Sequence, residues 1–298
     1  MAGVTTDVGA TGLSISVRPP SRWRRARETL TLVAASKTAV VGLAMVCFWV
    51  AIALLSLATT LDPYANDVEA VNVGPSVGHP LGTDDLGRDL LARVVHGTRL
   101  ILTLAPLSVL ITLFIGSALG LTAGYFGGLI DEVVMRILDA MMAFPTILLY
   151  MIIIAAVGPS SLNVVLAIAV AGTPGIARLV RSLTLDIRTR DYVAAAESRG
   201  ENPLYIMFVE ILPNARGPII VDAMLRVGYA VFAIGTLGFL GLGVPPPSPD
   251  WGSMVARGRS YIWTNPWAVL WPSVAISSLV VGLNLFADGL REESLRYQ

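Results

Sequence analysis

Residues able to do chemistry are sparse in this chain, and their spacing excludes several reaction types. Its one lysine, Lys37, does not follow a GxxxxG loop, so the sequence lacks the arrangement in which backbone N–H groups and a lysine cradle nucleotide phosphates. The two histidines, His79 and His96, lie outside any HExxH pattern. Metal ligation has no spacing signal, and solvent-facing imidazoles are expected. A single cysteine, Cys47, can make no intrachain disulfide. No nucleophile, base and orienting group fall together, so no catalytic residue, cofactor or metal is assigned to the chain. Asp222 and Arg226 are four apart and share a helix face, where they can pair. Asp139 is the carboxylate to check against Asp222 should the chain be an intramembrane enzyme.

These groups are carried by a chain that is 54% hydrophobic and 14% charged, with a mean hydropathy of +0.70. That is more apolar surface than one soluble core hides, and lipid must solvate the rest. An all-α integral membrane protein with six transmembrane helices is expected. The predicted spans are Thr38 to Leu61, Leu100 to Tyr125, Val133 to Val157, Leu162 to Leu179, Ile219 to Val244 and Pro266 to Phe286. A crossing takes ~20 apolar residues. The fourth is the shortest and is interrupted by Gly172, Pro174 and Gly175. The first is too long for a signal-peptide core and is expected to remain in the mature protein. Pro106, Pro145 and Pro174 each remove a backbone donor and can kink the second, third and fourth spans. At mid-bilayer Asp222 or Arg226 would each cost ~2.5–3.5 kcal/mol. Both should therefore face protein, a cavity or the interface, with anchoring favoured over cargo contact. Asn284 is expected to bond to a neighbouring helix.

Between the fourth and fifth spans lies a polar insert, DYVAAAESRGENPLYIMFVEILPN, from Asp191 to Asn214. Asp191 is read as the cap of a short helix, Ala194, Ala195 and Ala196 as its smooth side, and Gly200 as its left-handed end. Asn202 and Pro203 restart a second helix as N-cap and first residue, and Pro213 stops it. A helix, sharp turn and returning helix suit docking in another protein's groove. Glu210 has Arg199 and Arg216 as possible partners, or lies on a solvated face.

Arginine placement gives the orientation. With both termini cytoplasmic, the inner side holds fifteen Lys and Arg residues, among them Arg18, Arg22, Arg24, Arg25, Arg27, Lys37, Arg136, Arg188, Arg291 and Arg296. The outer side holds five: Arg88, Arg93, Arg99, Arg257 and Arg259. The positive-inside bias puts the insert in the cytoplasm and the segments 62–99 and 245–265 outside. Residues 1–37 read as a flexible, basic cytoplasmic tail, 38–98 as the first span and its outer loop, and 99–298 as the core transmembrane domain with the insert region 186–214. No basic stripe for nucleic acid is present. In the outer loops, Pro245, Pro246, Pro247 and Pro249 are read as a stiff extended stretch ending at Trp251, and Trp263 and Trp267 as headgroup anchors. The acidic set Asp62, Asp67, Glu69, Asp84, Asp85 and Asp89 is read as solvated.

The insert resembles the EAA loop of the permease subunits of ATP-binding-cassette importers, with YVAAAESRG and EILPN at the family's spacing. HPLGTDDLGRDLLARVVHGTR, GGLIDEVVMRILDAMMAFP, ARLVRS and GFLGLGVPPPSPDWGSMVARGR extend the likeness from His79 to Arg291. Together they are similar to the dipeptide, oligopeptide and nickel branch, and GTDDLGRD to its C-type permease. The family's glutamate would fall at Ala194. The resemblance implies a type I importer fold in the bacterial inner membrane, working by alternating access on di- or oligopeptides, with nickel, glutathione or opine cargo as the alternative. It implies as partners a B-type permease, two cytoplasmic ATPases that bind ATP and Mg, an extracytoplasmic binding protein and membrane lipid. It implies an ATPase-coupling set of Asp191, Tyr192, Val193, Ala195, Ala196, Gly200, Ile211, Leu212 and Pro213, with Tyr192 to Ser198 as the coupling helix. Cargo-contact residues are not assigned. A proton-driven carrier and an intramembrane enzyme are the readings from other classes.

Overall fold

A computed structural model describes residues 36–296, so the basic tail before Ser36 lies outside the described residues, as do the side chains after Arg291. Among the described residues the regular secondary structure is helical, joined by turns and loops, with one isolated bridge between Thr83 and Asp89. Five helices are long and apolar enough to cross a membrane: α1 (Lys37–Leu55), α2 (Leu90–Phe126), α5 (Ser161–Arg188), α7 (Pro203–Phe239) and α9, whose apolar span is Trp267–Arg291. Between α2 and α5 lie α3 (Gly128–Met142) and α4 (Thr146–Val157), and two short helices, α6 (Asp191–Ser198) and α8 (Trp251–Gly258), cap the bundle's ends.

The third predicted span is not one rod. α3 and α4 meet at 93°, and they make a sixth crossing only if the bent pair counts as one. Pro145 explains the break. It has no N–H to bond the preceding turn, and it adopts an extended conformation (φ −53°, ψ 129°) ahead of α4. Two ion pairs fix α3 on α5: Arg181 grips Asp131 with two bonds of 2.5 Å, and Arg178 reaches Asp139 at 2.5 Å.

The fourth predicted span, marked as the most interrupted, is the most deeply buried of the five. Pro174 lies inside the continuous helix α5, and Gly172, Thr173 and Gly175 let α2 and α7 approach closely. Packed neighbours tolerate the missing donor in a transmembrane bundle. The outermost helix, α1, seats on α9. Trp49 donates to the Ser278 hydroxyl at 3.1 Å, and a Cβ on Gly42 would collide with the backbone of α9. Small residues permit this close crossing where no hydrophobic effect drives helices together. Asn284 does not make the helix-to-helix bond expected of it: its Oδ1 is buried against Gly228 of α7 without a partner.

Pro213 does not stop the second limb of the insert. A π-helical stretch, Ile206–Ile211, runs into Leu212–Phe239, so the limb and the fifth span are a single helix. The wider coil makes room where the proline ring would otherwise meet the Val209 carbonyl. Two apolar clusters hold the bundle. The larger lies towards segments 56–89 and 240–266, and the smaller, built on Leu121, Ile176, Val180 and Ile211, lies beneath α6.

Candidate coupling elbow and central cavity

The elbow formed by α6 and the start of α7 is built by local chemistry. Helix α6 begins one residue earlier than the sequence suggests. Arg190 is its N-cap and its carbonyl accepts from Val193 and Ala194, while Asp191, predicted as the cap, lies exposed in the first turn. The preceding turn causes the shift, since the Thr189 hydroxyl donates to the Asp186 carbonyl (2.8 Å) and Arg190 to the Asp186 carboxylate (2.9 Å). Asp191 still faces the positive end of the helix dipole. The other end matches expectation. Gly200 has φ +77°, its N–H donates to Glu197, and the Glu201 N–H donates to Ala196, the paired bonds of a Schellman turn. Asn202 accepts from the Tyr205 N–H at 2.7 Å, with Pro203 as first helical residue. Arg199 links the two limbs, 3.8 Å from Glu210.

Burial divides the predicted coupling residues into two groups. Val193 and Ala196, three apart, are fully buried in the smaller cluster with Ile211, and Leu212 is half-buried beside them. Asp191, Tyr192, Ala195, Gly200 and Pro213 are exposed, as is Ala194. One face of α6 is therefore a mount and the other a free surface. The exposed side chains continue on α7 as Leu204, Tyr205, Phe208 and Val209, an apolar patch the sequence reading missed. Periodicity flags it: these four alternate with buried Ile206 and Met207, so the limb is apolar on both faces.

At the opposite end the polar groups are turned inward. Arg93 is fully buried, with Nη1 donating to the Pro63 carbonyl (3.1 Å) and Nη2 to the Ser248 carbonyl (3.2 Å). Asp84, expected in solvent, is buried. It accepts from the Leu86 and Arg88 backbones and pairs with Arg88 at 2.7 Å. His79 is half-buried instead of solvent-facing, 2.9 Å from Asp89 and 3.6 Å from Asp67. The Asp89 hydrogen bond, chiefly, raises its pKa above 6.5. Asn265 donates to the Thr83 carbonyl at 2.9 Å. The proline run is a turn, closed by Ser248 N–H to the Pro245 carbonyl at 3.3 Å, and not an extended rod. It delivers Trp251 into the core, where the indole donates to the Val94 carbonyl (3.1 Å) and packs on Trp49. Asp250, which caps α8 through the Ser253 N–H, has its pKa raised to about 6, mainly by burial. Trp263 is exposed, whereas Trp267 stacks on Trp271 at 5.6 Å.

Mid-bundle, α2, α3, α4, α5 and α7 line a half-open cavity of about 430 Å³. Arg226 contributes its one charge among the lining residues, beside Thr112, Tyr150, Tyr229 and Thr236. The predicted pair is formed, with Arg226 Nε 2.5 Å from Asp222. Asp139 and Asp222 each pair with an arginine of their own, Arg178 and Arg226.

A family model described as "binding-protein-dependent transport system inner membrane component" matches residues 116–292. The dipeptide transport system permease protein DppC of Alkalihalophilus pseudofirmus is 42% identical over 91% of this chain and 89% of its own. The glutathione transport system permease protein GsiD of Pectobacterium atrosepticum is 40% identical over 93% and 91%. An inward-facing structure of the MetNI methionine ABC transporter shares the fold, with TM-score 0.53 at 22% identity over 69% of this chain and 95% of that one. A multi-span helical bundle with this match and these relatives is a transport subunit and not an enzyme: the chain belongs to the family of binding-protein-dependent transport system inner membrane components.

Proposed function

We propose that this chain is one of two unlike permease subunits in an ATP-driven importer of di- or oligopeptides. It completes its path with a B-type permease, receives cargo from an extracytoplasmic binding protein, and is driven by two cytoplasmic ATPases that hold the ATP and Mg. Tyr192 to Ser198 is the coupling helix. Val193, Ala196, Ile211 and Leu212 root it in the bundle, while Asp191, Tyr192, Ala195, Gly200 and Pro213 belong to the surface that an ATPase grips. The observation that carries this reading is the division of α6 into a fully buried stripe and an exposed small-residue face. A helix rooted on one side transmits a push from the other into α5 and α7.

Both termini are cytoplasmic in this account, and the bilayer is the bacterial inner membrane. Burial sharpens the arginine asymmetry behind that orientation. Of the five outer arginines, Arg88 and Arg93 are locked in buried contacts, Arg257 is half-buried and Arg259 lies over the Phe239 ring. Peptide cargo follows from the dipeptide-transport relatives, and the glutathione relative, itself named for a peptide-like cargo, keeps γ-linked tripeptides in view. Reconstitution in proteoliposomes tests the proposal. This chain alone should hydrolyse no ATP, and the assembly with both ATPases and the second permease should hydrolyse faster with cargo-loaded binding protein. Peptide uptake that stops when the proton gradient is collapsed at constant ATP would favour a proton-driven carrier instead.

A further inference from the structure

We propose that a groove between α1, α2 and α9 holds an acyl chain of one outer-leaflet membrane lipid, bound more firmly than the fluid lipid around the bundle. The inference asks only that these helices cross the bilayer in the orientation given above, and it holds for any cargo.

The groove follows from how α1 and α9 meet. Towards the inner end the two helices touch closely, since a Cβ on Gly42, Gly282 or Gly289 would collide with the facing helix. Towards the outer end the glycines give way to Phe48 and Trp49 on α1 and to Trp271 and Val274 on α9, and these larger side chains hold the axes apart. The space left between them is a half-open cavity of about 630 Å³. Ala44, Phe48 and Ile52, four apart along α1, line it together with Val95 of α2 and Trp271 and Ser278 of α9. Its floor is closed by Trp49, which is buried and bonded to Ser278. Phe48 and Val274 stay exposed at its margin, so the groove opens outward from the bundle.

The chemistry of the walls selects hydrocarbon. No charged residue lines the groove, and Ser278 carries its one hydroxyl. That hydroxyl is already spent, accepting from Trp49 and donating to the Val274 carbonyl at 2.6 Å. The Trp271 indole nitrogen is buried out of reach of a ligand. A peptide would leave its amide groups unpaired here, whereas an acyl chain has none to satisfy. The dimensions agree. Ala44 to Ile52 rises ~12 Å at ~1.5 Å per residue, most of the ~15 Å depth of one leaflet of a ~30 Å hydrocarbon core. Trp267 and Trp271, stacked at the outer rim, are the kind of aromatic pair that marks the headgroup level. The mid-bundle cavity shares only α2 with the groove, so a second permease that closes that cavity meets another side of the bundle. α1 and α9 are the least buried of the five crossing helices, which makes their side the one left to lipid.

The test uses the full chain, purified with the subunits it assembles with, in vesicles of phosphatidylethanolamine and phosphatidylglycerol. A trace of phosphatidylglycerol with a diazirine midway along one acyl chain is photolysed, and its adducts are mapped by peptide mass spectrometry. Val50 and Leu54 are exposed at the same depth on faces of α1 turned from the groove, and they report the fluid lipid. Phe48 and Ile52 should be labelled about tenfold more than these two, as for a site that holds its lipid ~1.4 kcal/mol better than the surrounding layer. Ala44→Trp fills the groove from its own wall and should remove that excess while labelling of Val50 and Leu54 persists. Should Ala44→Trp fail to assemble, the wild-type map decides alone. Equal labelling of both sets, or an excess that survives Ala44→Trp, means fluid lipid only and overturns the inference. Labelling of Val50 and Leu54 with none in the groove means that a protein segment fills it, and overturns the inference too. Both of these results leave the transport reading standing.

Discussion

The two ends of this bundle spend their polar residues in opposite ways. At the end built from segments 56–89 and 240–266, Arg93, Asp84, Asp250 and Asn265 are buried: Arg93 and Asn265 bond to distant stretches of the same chain, and Asp84 and Asp250 to residues within a turn. At the elbow end, Arg190, Arg199 and Glu197 remain exposed, and Tyr192, Leu204 and Phe208 stand out beside them. Polar groups spent on such internal bonds hold the end of the bundle together. A surface that leaves rings and aliphatic side chains uncovered at a rigidly mounted turn is shaped for a partner. The contrast separates the residues that hold the subunit together from those through which it is driven.

The sharpest way to break the contrast is at Arg93. Arg93→Ala leaves the Pro63, Pro247 and Ser248 carbonyls without their donor, at ~1–3 kcal/mol for each one left buried and unpaired, read as a large drop in the melting point of the purified assembly. A change no bigger than that of an exposed elbow arginine, such as Arg190→Ala, would erase the distinction between the ends.

Next in size is the response to pH. Asp250 has a folded pKa of about 6, well above the ordinary aspartate value, so the fold binds its proton more tightly than the unfolded chain does. Stability should fall as pH rises from about 4 to about 6 and stay lower beyond. His79, also raised, gives stability that is complete below 6.5 and lost as pH climbs through its folded value. Both shifts tighten the same end on acidification. Protection factors, which remove the intrinsic pH dependence of amide exchange, should rise at low pH across 56–89 and 240–266 while those of the elbow change little, and Asp250→Asn should flatten the lower part of the profile.

Smaller effects are expected in the elbow. Gly200→Ala puts a Cβ at φ +77° and should cost ~1–2 kcal/mol, concentrated in the turn, so that coupling of hydrolysis to uptake falls before the melting point does. Asn202→Ala removes the cap on Tyr205 N–H and should cost about 1 kcal/mol, seen as faster exchange of the first amides of α7.

What could be read from the sequence was what local chemistry decides. The helices that cross, the Gly200 turn, the Asn202–Pro203 restart and the Asp222–Arg226 pair depend on residues within a turn of one another. The misreadings arose where distant contacts override local preference. Pro174 looked like a break yet sits in the best-packed helix, because α2 and α7 close around it, whereas at Pro145 the expected kink is a bend of 93°. Arg93 bonds to carbonyls 30 and 155 residues away, which no spacing rule reaches. Its one local signal was an arginine flanked by Leu90, Leu91, Val94 and Val95, a cation on a stretch otherwise suited to burial.

The most direct test of the account places a cysteine at Ala195, on the exposed face of α6, in a Cys47→Ser background, and crosslinks it within the assembled complex. The account predicts a product with a nucleotide-binding subunit, whose yield changes when ATP is added, and labelling only by reagents that reach the cytoplasmic side. A product with the extracytoplasmic binding protein, or labelling from outside the membrane, would contradict it.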